Sequence, residues 1–241
     1  MLEINKIHQG DCFKLMDEIE DGSVDLVLTD PPYNISVKNS KEAYGNGRVG
    51  MDFGDWDYGF DTEKWIRQLA TKPNEDKGQM LIFNSYHNFE IIARVLEEHG
   101  YNVRLDPIYW IKTNPVPHFP HRMPVSSFEH VLWATRGDEF VYNPTAGFKH
   151  VHGRYEASSH EEQGQRFHTT QKPMSLWNKI LKTHSNPGDL VLDTFGGSCV
   201  TAASSVRLRR NFIVMEMDDG YYKKGLERLN RERGRSKTLW W

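Results

Sequence analysis

The stretch Val24-Asp25-Leu26-Val27-Leu28-Thr29-Asp30-Pro31-Pro32-Tyr33-Asn34 decides the fold. Its first half is a short apolar, β-branched run without polar alternation, the pattern of a strand buried on both faces of a parallel sheet. It stops abruptly at Asp30. Two consecutive prolines then fix φ and remove two backbone donors, so carbonyl oxygens at this strand exit are free to face something other than a neighbouring strand. A carboxylate, bare carbonyls and the flat ring of Tyr33, of the kind that stacks on a nucleobase, share one strand end. A Pro-rich strand exit with an unrelated Asp and Tyr would spell the same four letters.

Working outward, Leu2, Ile4 and Ile7 alternate as in an opening strand that leads into Gly10-Asp11-Cys12. Phe13, Leu15, Met16 and Ile19 mark a short helix before the turn Asp21-Gly22-Ser23. Asp11, at the carboxyl end of the first strand, has two readings: a hydrogen bond to the adenine or ribose of a cofactor, or a plain helix N-cap. Downstream, the patterns predict a helix over 62–70, a buried strand over 79–84, a helix over 87–99 and a strand over 103–111. Strands alternating with helices imply an α/β fold with a mostly parallel sheet and helices on both faces.

Two segments break that alternation. Residues 35–61 are rich in Gly, Asn and Asp, with Tyr44, Trp56 and Tyr58, and read as a loop or flap beside the catalytic strand. Residues 112–166 contain one core-like strand, Phe128 to Ala134, within a mixture of basic and aromatic residues. We read them as an inserted target-recognition region, since cations hold phosphate and planar groups reach base edges. Asn34, Lys112, His121, Arg122, Lys149 and Arg154 are the DNA-contact candidates. A solvated insertion would have the same composition.

The second decisive stretch runs from Asp189 to Ser205. Leu190-Val191-Leu192 is a buried strand, Asp193-Thr194-Phe195-Gly196-Gly197-Ser198 a tight glycine turn, and Thr201 to Ser205 a run of small residues that opens a helix. Asn211 to Met215 is a further strand that ends at Glu216, nineteen positions beyond Gly197, the spacing for an acid on the ribose hydroxyls of an adenosine. Met217 follows it. The absence of G-x-G-x-x-G argues against a dinucleotide. Between the two stretches, Met174, Trp177, Ile180 and Leu181 fall at helical spacing behind Pro173. Lys172 stands at that helix entrance and reads either as a partner for a cofactor carboxylate or as a solvated surface cation.

At 241 residues the chain suffices for a single domain, 1–241, carrying the two segments above. The N-terminal residues lack the pattern of a signal peptide, and no apolar run reaches bilayer length. Two cysteines, Cys12 and Cys199, lack zinc spacing, so we expect a reducing cytoplasm and no metal. Net charge is −3, yet residues 207–237 carry ten Lys or Arg against five Asp or Glu. That stretch is either a solvated helix face or a phosphate contact.

An exocyclic amino group such as adenine N6 or cytosine N4 is a poor nucleophile while its lone pair is delocalised into the ring. Acceptors aimed at its hydrogens stabilise the tetrahedral nitrogen that attacks, and Asp30 with the Pro31 carbonyl supplies such a pair. D-P-P-Y behind an apolar strand, followed much later by the F-x-G turn, resembles the β group of DNA amino-methyltransferases, which use S-adenosylmethionine. The resemblance spans Gly10-Asp11 to Glu216 and implies a circularly permuted Rossmann-like methyltransferase fold. It implies Asp30, Pro31, Pro32 and Tyr33 at a flipped base in duplex DNA. It also implies Asp11, Cys12, Asp30, Lys172, Asp193, Phe195, Gly196, Gly197, Ser198, Glu216 and Met217 around the cofactor. D-P-P-Y leans towards adenine N6, with cytosine N4 next, then an RNA amino-methyltransferase or a catalytically silent DNA-binding subunit. A homodimer, a cognate restriction endonuclease and a bacterial or phage setting are further implications. The family turn usually reads D-P-F-x-G-S-G, whereas this chain has Thr194 and Cys199.

Overall fold

The computed structural model describes residues 2–35, 57–104, 106–115, 126–144, 153–161 and 165–238, with side chains to 235. His121, Arg122, Lys149 and most of the expected flap lie outside the described residues. In chain order the elements are β1 (Lys6–Gln9), α1 (Cys12–Met16), β2 (Leu26–Thr29), α2 (Thr62–Leu69), β3 (Gln79–Asn84) and α3 (Tyr86–Glu98). There follow β4 (Asn102–Val103), β5 (Ile108–Lys112), β6 (Phe128–Thr135) and β7 (Arg154–Ala157). The last are α4 (Met174–His184), β8 (Leu190–Asp193), α5 (Val200–Leu208), β9 (Asn211–Glu216) and α6 (Asp219–Thr238).

One sheet runs β1-β9-β8-β2-β3-β6-β5-β7, with β4 pairing to the far end of β6. Its first five strands are mutually parallel, β6 is antiparallel to β3 and β5, and β7 is parallel to β5. The central strands are buried along their length because both faces are covered. Val27, Met80, Ile82, Leu192 and Ile213 face α1, α2 and α3 on one side. Leu26, Leu28, Leu81, Phe83 and Val191 face α4 and α5 on the other, while Ile7, Phe212 and Val214 pack under α6 through Leu229. This is the expected α/β architecture with a mostly parallel sheet.

Three local expectations change. The single strand over 103–111 is two: Pro107 and its neighbours interrupt it, and both halves pair with β6. The opening strand starts only at Lys6, because Asn5 adopts φ 63° and leaves Ile4 exposed. Strand β7 was not anticipated. Its Tyr155 and Ala157 are buried between charged Arg154 and Glu156, and it extends the sheet beyond β5.

Strands β2 and β8 lie side by side with Leu26 opposite Val191 and Val27 opposite Leu192. From their carboxyl ends the chain leaves to opposite faces of the sheet, to α2 after β2 and to α5 after β8. Such a divergence opens the crevice where ligands bind in α/β sheets.

Candidate active site

The two motifs distant in sequence meet at that crevice. The Thr29 hydroxyl donates to Asp193 Oδ1 at 2.8 Å, and lies 3.3 Å from the Thr194 hydroxyl. Asp193 also accepts from the Thr201 hydroxyl at 2.5 Å and the Phe195 N–H at 3.1 Å. Burial pushes its carboxyl up to about 7. Every one of these partners is internal to the fold, so Asp193 braces the turn from below.

The turn itself is built on two glycines. A Cβ on Gly196 would stand 2.7 Å from Val214 Cγ1 and 3.0 Å from the Met215 carbonyl, and Gly197 adopts φ +50°. The Gly197 N–H donates to Glu216 Oε2 at 2.6 Å, and the Asp218 N–H donates to Oε1 at 2.7 Å. Burial raises the Glu216 carboxyl above its ordinary value. Beside it Met217 is 63% exposed, an apolar side chain on the crevice edge. The Gly10 N–H donates to the Glu216 carbonyl, which brings Asp11 to the same edge. Asp11 is the N-cap of α1, accepting from the Phe13 and Lys14 N–H groups at 2.9 and 3.3 Å. The Cys12 side chain lies in the core with its thiol raised to about 12 by burial, so it presents no side chain to a ligand.

Phe195 packs edge-on against Phe60 and Trp65, and Ser198 is buried with its carbonyl accepting from Arg228. Cys199, where the family has glycine, adopts the left-handed conformation at φ 53°. Its thiol sits among Ile7, Ala202, Phe212, Val214 and Leu229, against Gly225 of α6. The extra side chain therefore packs between α6 and the underside of the glycine turn, its thiol 4.0 Å from the Gly197 carbonyl.

At the end of β2, the Tyr33 hydroxyl donates to Asp30 Oδ1 at 2.6 Å and the Lys172 ammonium donates to Oδ2 at 2.6 Å. Lys172 also pairs with Glu129 of β6 at 3.0 Å, and Glu129 with Lys112 of β5 at 3.0 Å. Burial pushes Asp30 up, with Lys172 pulling the other way. For Glu129 burial works upward, but Lys172 and Lys112 together bring it below its usual value. Burial opposes the charge on Lys172, and Asp30 and Glu129 more than reverse that. Lys172 is thus turned to Asp30 and Glu129, and Lys112 to Glu129.

Asn34 is likewise engaged within the fold. Its amide donates to the Phe60 carbonyl and accepts from the Phe60 N–H, both at 2.9 Å. Arg154 remains on the surface, paired to Glu156 at 2.9 Å. In the basic C-terminal stretch, Arg207 and Arg235 pair with Glu232, and Lys223 with Asp219.

Sequence reasoning missed three residues. Asp57 accepts the N–H groups of Tyr33, Asn34 and Ile35 at 2.7 to 3.0 Å, stapling the catalytic loop to the chain 22 to 24 positions later. Nothing in its neighbours marks it. His168 lies over Gly197, its Nε2 3.2 Å from where a Cβ would be, and 4.3 Å from the Tyr221 ring. Burial, aided by Lys172, lowers it to about 4, so it is neutral at physiological pH. Glu129 was visible as an acid on an otherwise core-like strand.

A family model described as DNA methylase matches residues 24–227, covering both motifs and everything between them. The chain belongs to this family of N6/N4 DNA methylases. The methylase is 32% identical to the type II methyltransferase M2.MboI of Moraxella bovis over 230 residues, 88% of this chain and 82% of that one. It is 32% identical to the type II methyltransferase M2.LlaDCHI of Lactococcus lactis subsp. cremoris over 241 residues, 92% and 88% of the two chains. Among solved structures it resembles the M1.HpyAVI–SAM complex with a TM-score of 0.74 at 32% identity, covering 93% of this chain and 98% of that one. The family is dependent on S-adenosylmethionine, and the methylase's own residues fit that cofactor. Glu216, its carboxylate fixed by the Gly197 and Asp218 N–H groups, stands at the strand end beside the exposed Met217, an acid and an apolar side chain of the kind an adenosine takes. Among the described residues no helix is long and apolar enough to cross a membrane.

Proposed function

We propose that this methylase transfers a methyl group from S-adenosylmethionine to adenine N6 in duplex DNA, with the target base turned out of the helix. The observation that carries the reading is the placement of Asp30 and the Pro31-Pro32-Tyr33 exit on the strand adjoining the glycine turn, tied by the Thr29–Asp193 bond. The bound cofactor supplies a methyl group activated on a sulfonium sulfur. Gly196, Gly197, Ser198, Glu216 and Met217 hold the nucleoside, and Asp11 stands on the same edge. The amino group enters where Tyr33 or Lys172 now occupies an Asp30 oxygen, and the Asp30 carboxylate and Pro31 carbonyl take its two N–H bonds. The released Tyr33 ring provides the stacking face. The amine would displace the methyl in line as the carbon–sulfur bond breaks, leaving S-adenosylhomocysteine, and its surplus proton would pass by way of Asp30 to solvent, without a covalent enzyme intermediate. The D-P-P-Y form favours adenine over cytosine N4. Residues 35–61 and 112–166 are the flap and target-recognition regions of a bacterial or phage enzyme that acts in the cytoplasm, with a homodimer and a cognate endonuclease as candidate partners.

Incubation with labelled S-adenosylmethionine and duplex DNA, then digestion to nucleosides and chromatography, tests this. N6-methyladenine is the expected product, N4-methylcytosine would overturn the base assignment, and label in structured RNA alone would overturn the substrate. Asp30→Ala lowers turnover by at least about 100-fold while cofactor affinity is retained. Undiminished turnover in that variant contradicts the assignment of Asp30.

A further inference from the structure

Four charges in alternating sign run inward from the β5–β6 edge to the catalytic strand: Lys112, Glu129, Lys172 and Asp30, joined by contacts of 3.0, 3.0 and 2.6 Å. The Lys172 side chain is 7% exposed, and its ammonium lies within 6.0 Å of the rings of Tyr33, Phe83 and Trp110. Apolar residues in such a place are as stable as ion pairs or more so, since each buried charge loses its hydration. Stability alone therefore gives little reason for Glu129 on this strand face, where Val131 is packed into the core. A chain of ionised groups beside a ligand crevice points instead to control of the group at its end.

We propose that Glu129 is a positioning residue for methyl transfer: by offering Lys172 a second carboxylate it lets that ammonium leave Asp30 Oδ2 when the target amine arrives. This rests on Asp30 being the acceptor proposed above. A target amine arriving at Asp30 competes with the two donors that already hold its oxygens at 2.6 Å, one of them a full positive charge. With Glu129 in place Lys172 shifts its donors to a second carboxylate without becoming an unpaired buried charge. Lys112, on the far side of Glu129, keeps that carboxylate ionised and fixed. Without Glu129, Lys172 has Asp30 alone and stays on it. Among the described residues, the charged and titratable groups facing Asp30 are Tyr33 on its own loop, Lys172 before α4, Glu129 on β6 and Asp193 on β8, and His168 faces Lys172. Lys112 acts through Glu129, and Asp57 lies behind Tyr33.

The test compares Glu129→Gln and Glu129→Asp with the wild-type enzyme on duplex DNA. Glu129→Gln is expected to lower kcat by about 10-fold and change the KM for S-adenosylmethionine by less than about twofold, since the cofactor turn is untouched. It also moves the acid limb of the kcat profile to lower pH by about one unit, because the negative charge that resists ionisation of Asp30 is gone. Glu129→Asp restores most of kcat and returns the limb towards its wild-type position. A loss of activity equal at all pH, or no loss, overturns the proposal. A carbon-13 titration of the Asp30 carboxyl in wild type and Glu129→Gln, which needs no turnover, separates this from the reaction itself. A downward shift there with no methylation by the wild type keeps the ion network and overturns the reaction. Methylation by the wild type with no shift overturns the role of Glu129.

Discussion

The two walls of the crevice are built by different means. On the side of the glycine turn, between β8 and β9, position is set by backbone shape: Gly196 against Val214, Gly197 at positive φ, and N–H groups directed to Glu216. On the side of Asp30, position is set by charge, with Lys172 on Asp30 and Asp57 gathering three consecutive N–H groups. The first wall should fail by steric change and be insensitive to ionic conditions. The second should fail by charge removal and tolerate changes of shape that keep the charge.

Beyond Asp30 itself, the largest effect expected within that contrast is at Gly196. Gly196→Ala places a methyl 2.7 Å from Val214 Cγ1 and 3.0 Å from a carbonyl, so the turn must move. Cofactor affinity measured by calorimetry is expected to fall by at least about 30-fold, consistent with overpacking costs of about 1–3 kcal/mol or more. An affinity within threefold of wild type would show that the turn is not shape-limited.

Next comes the Cys199–Gly225 contact under the same wall. A Cβ at Gly225 would meet the Cys199 thiol at 2.4 Å. Gly225→Ala is expected to destabilise by about 1–3 kcal/mol in urea unfolding despite the better helix propensity of alanine. Combined with Cys199→Gly, which removes the thiol and relieves the left-handed non-glycine residue, the same change becomes neutral or stabilising. Additive effects in that cycle would break the account of why this chain tolerates cysteine there.

The smallest effect belongs to the charged wall. Asp57→Ala leaves three loop N–H groups to water, two of them on the exposed residues Asn34 and Ile35. We expect a loss of about 1–2 kcal/mol in stability and a several-fold lower kcat, with cofactor affinity unchanged. A matching fall in cofactor affinity would show the two walls to be coupled.

The same contrast explains what was legible in the sequence. Strand β3 and the turn after β8 follow from apolar runs and glycines, features that act on the chain locally, and both were found at their positions. The meeting of Asp30 with Asp193 was implied by family resemblance and is produced by strand order. The charged wall was much less legible. Lys172 stands before a helix whichever way it points, and only packing turns it inward onto Asp30. Lys112 and Asn34 look like free polar residues in a loop-rich stretch, and their internal partners, Glu129 and Phe60, could not be read from spacing. Strand β7 was hidden because Arg154 and Glu156 flank its two buried positions, leaving too short an alternation to see.

The Asp57 staple has a consequence for how the exit of β2 is held. One carboxylate gathers the N–H groups of Tyr33, Asn34 and Ile35, and Asn34 exchanges two further hydrogen bonds with Phe60 at the approach to α2. Residues 33–35 and 57–60 therefore form a two-sided clip, and Tyr33 keeps its address only while both jaws of that clip are closed.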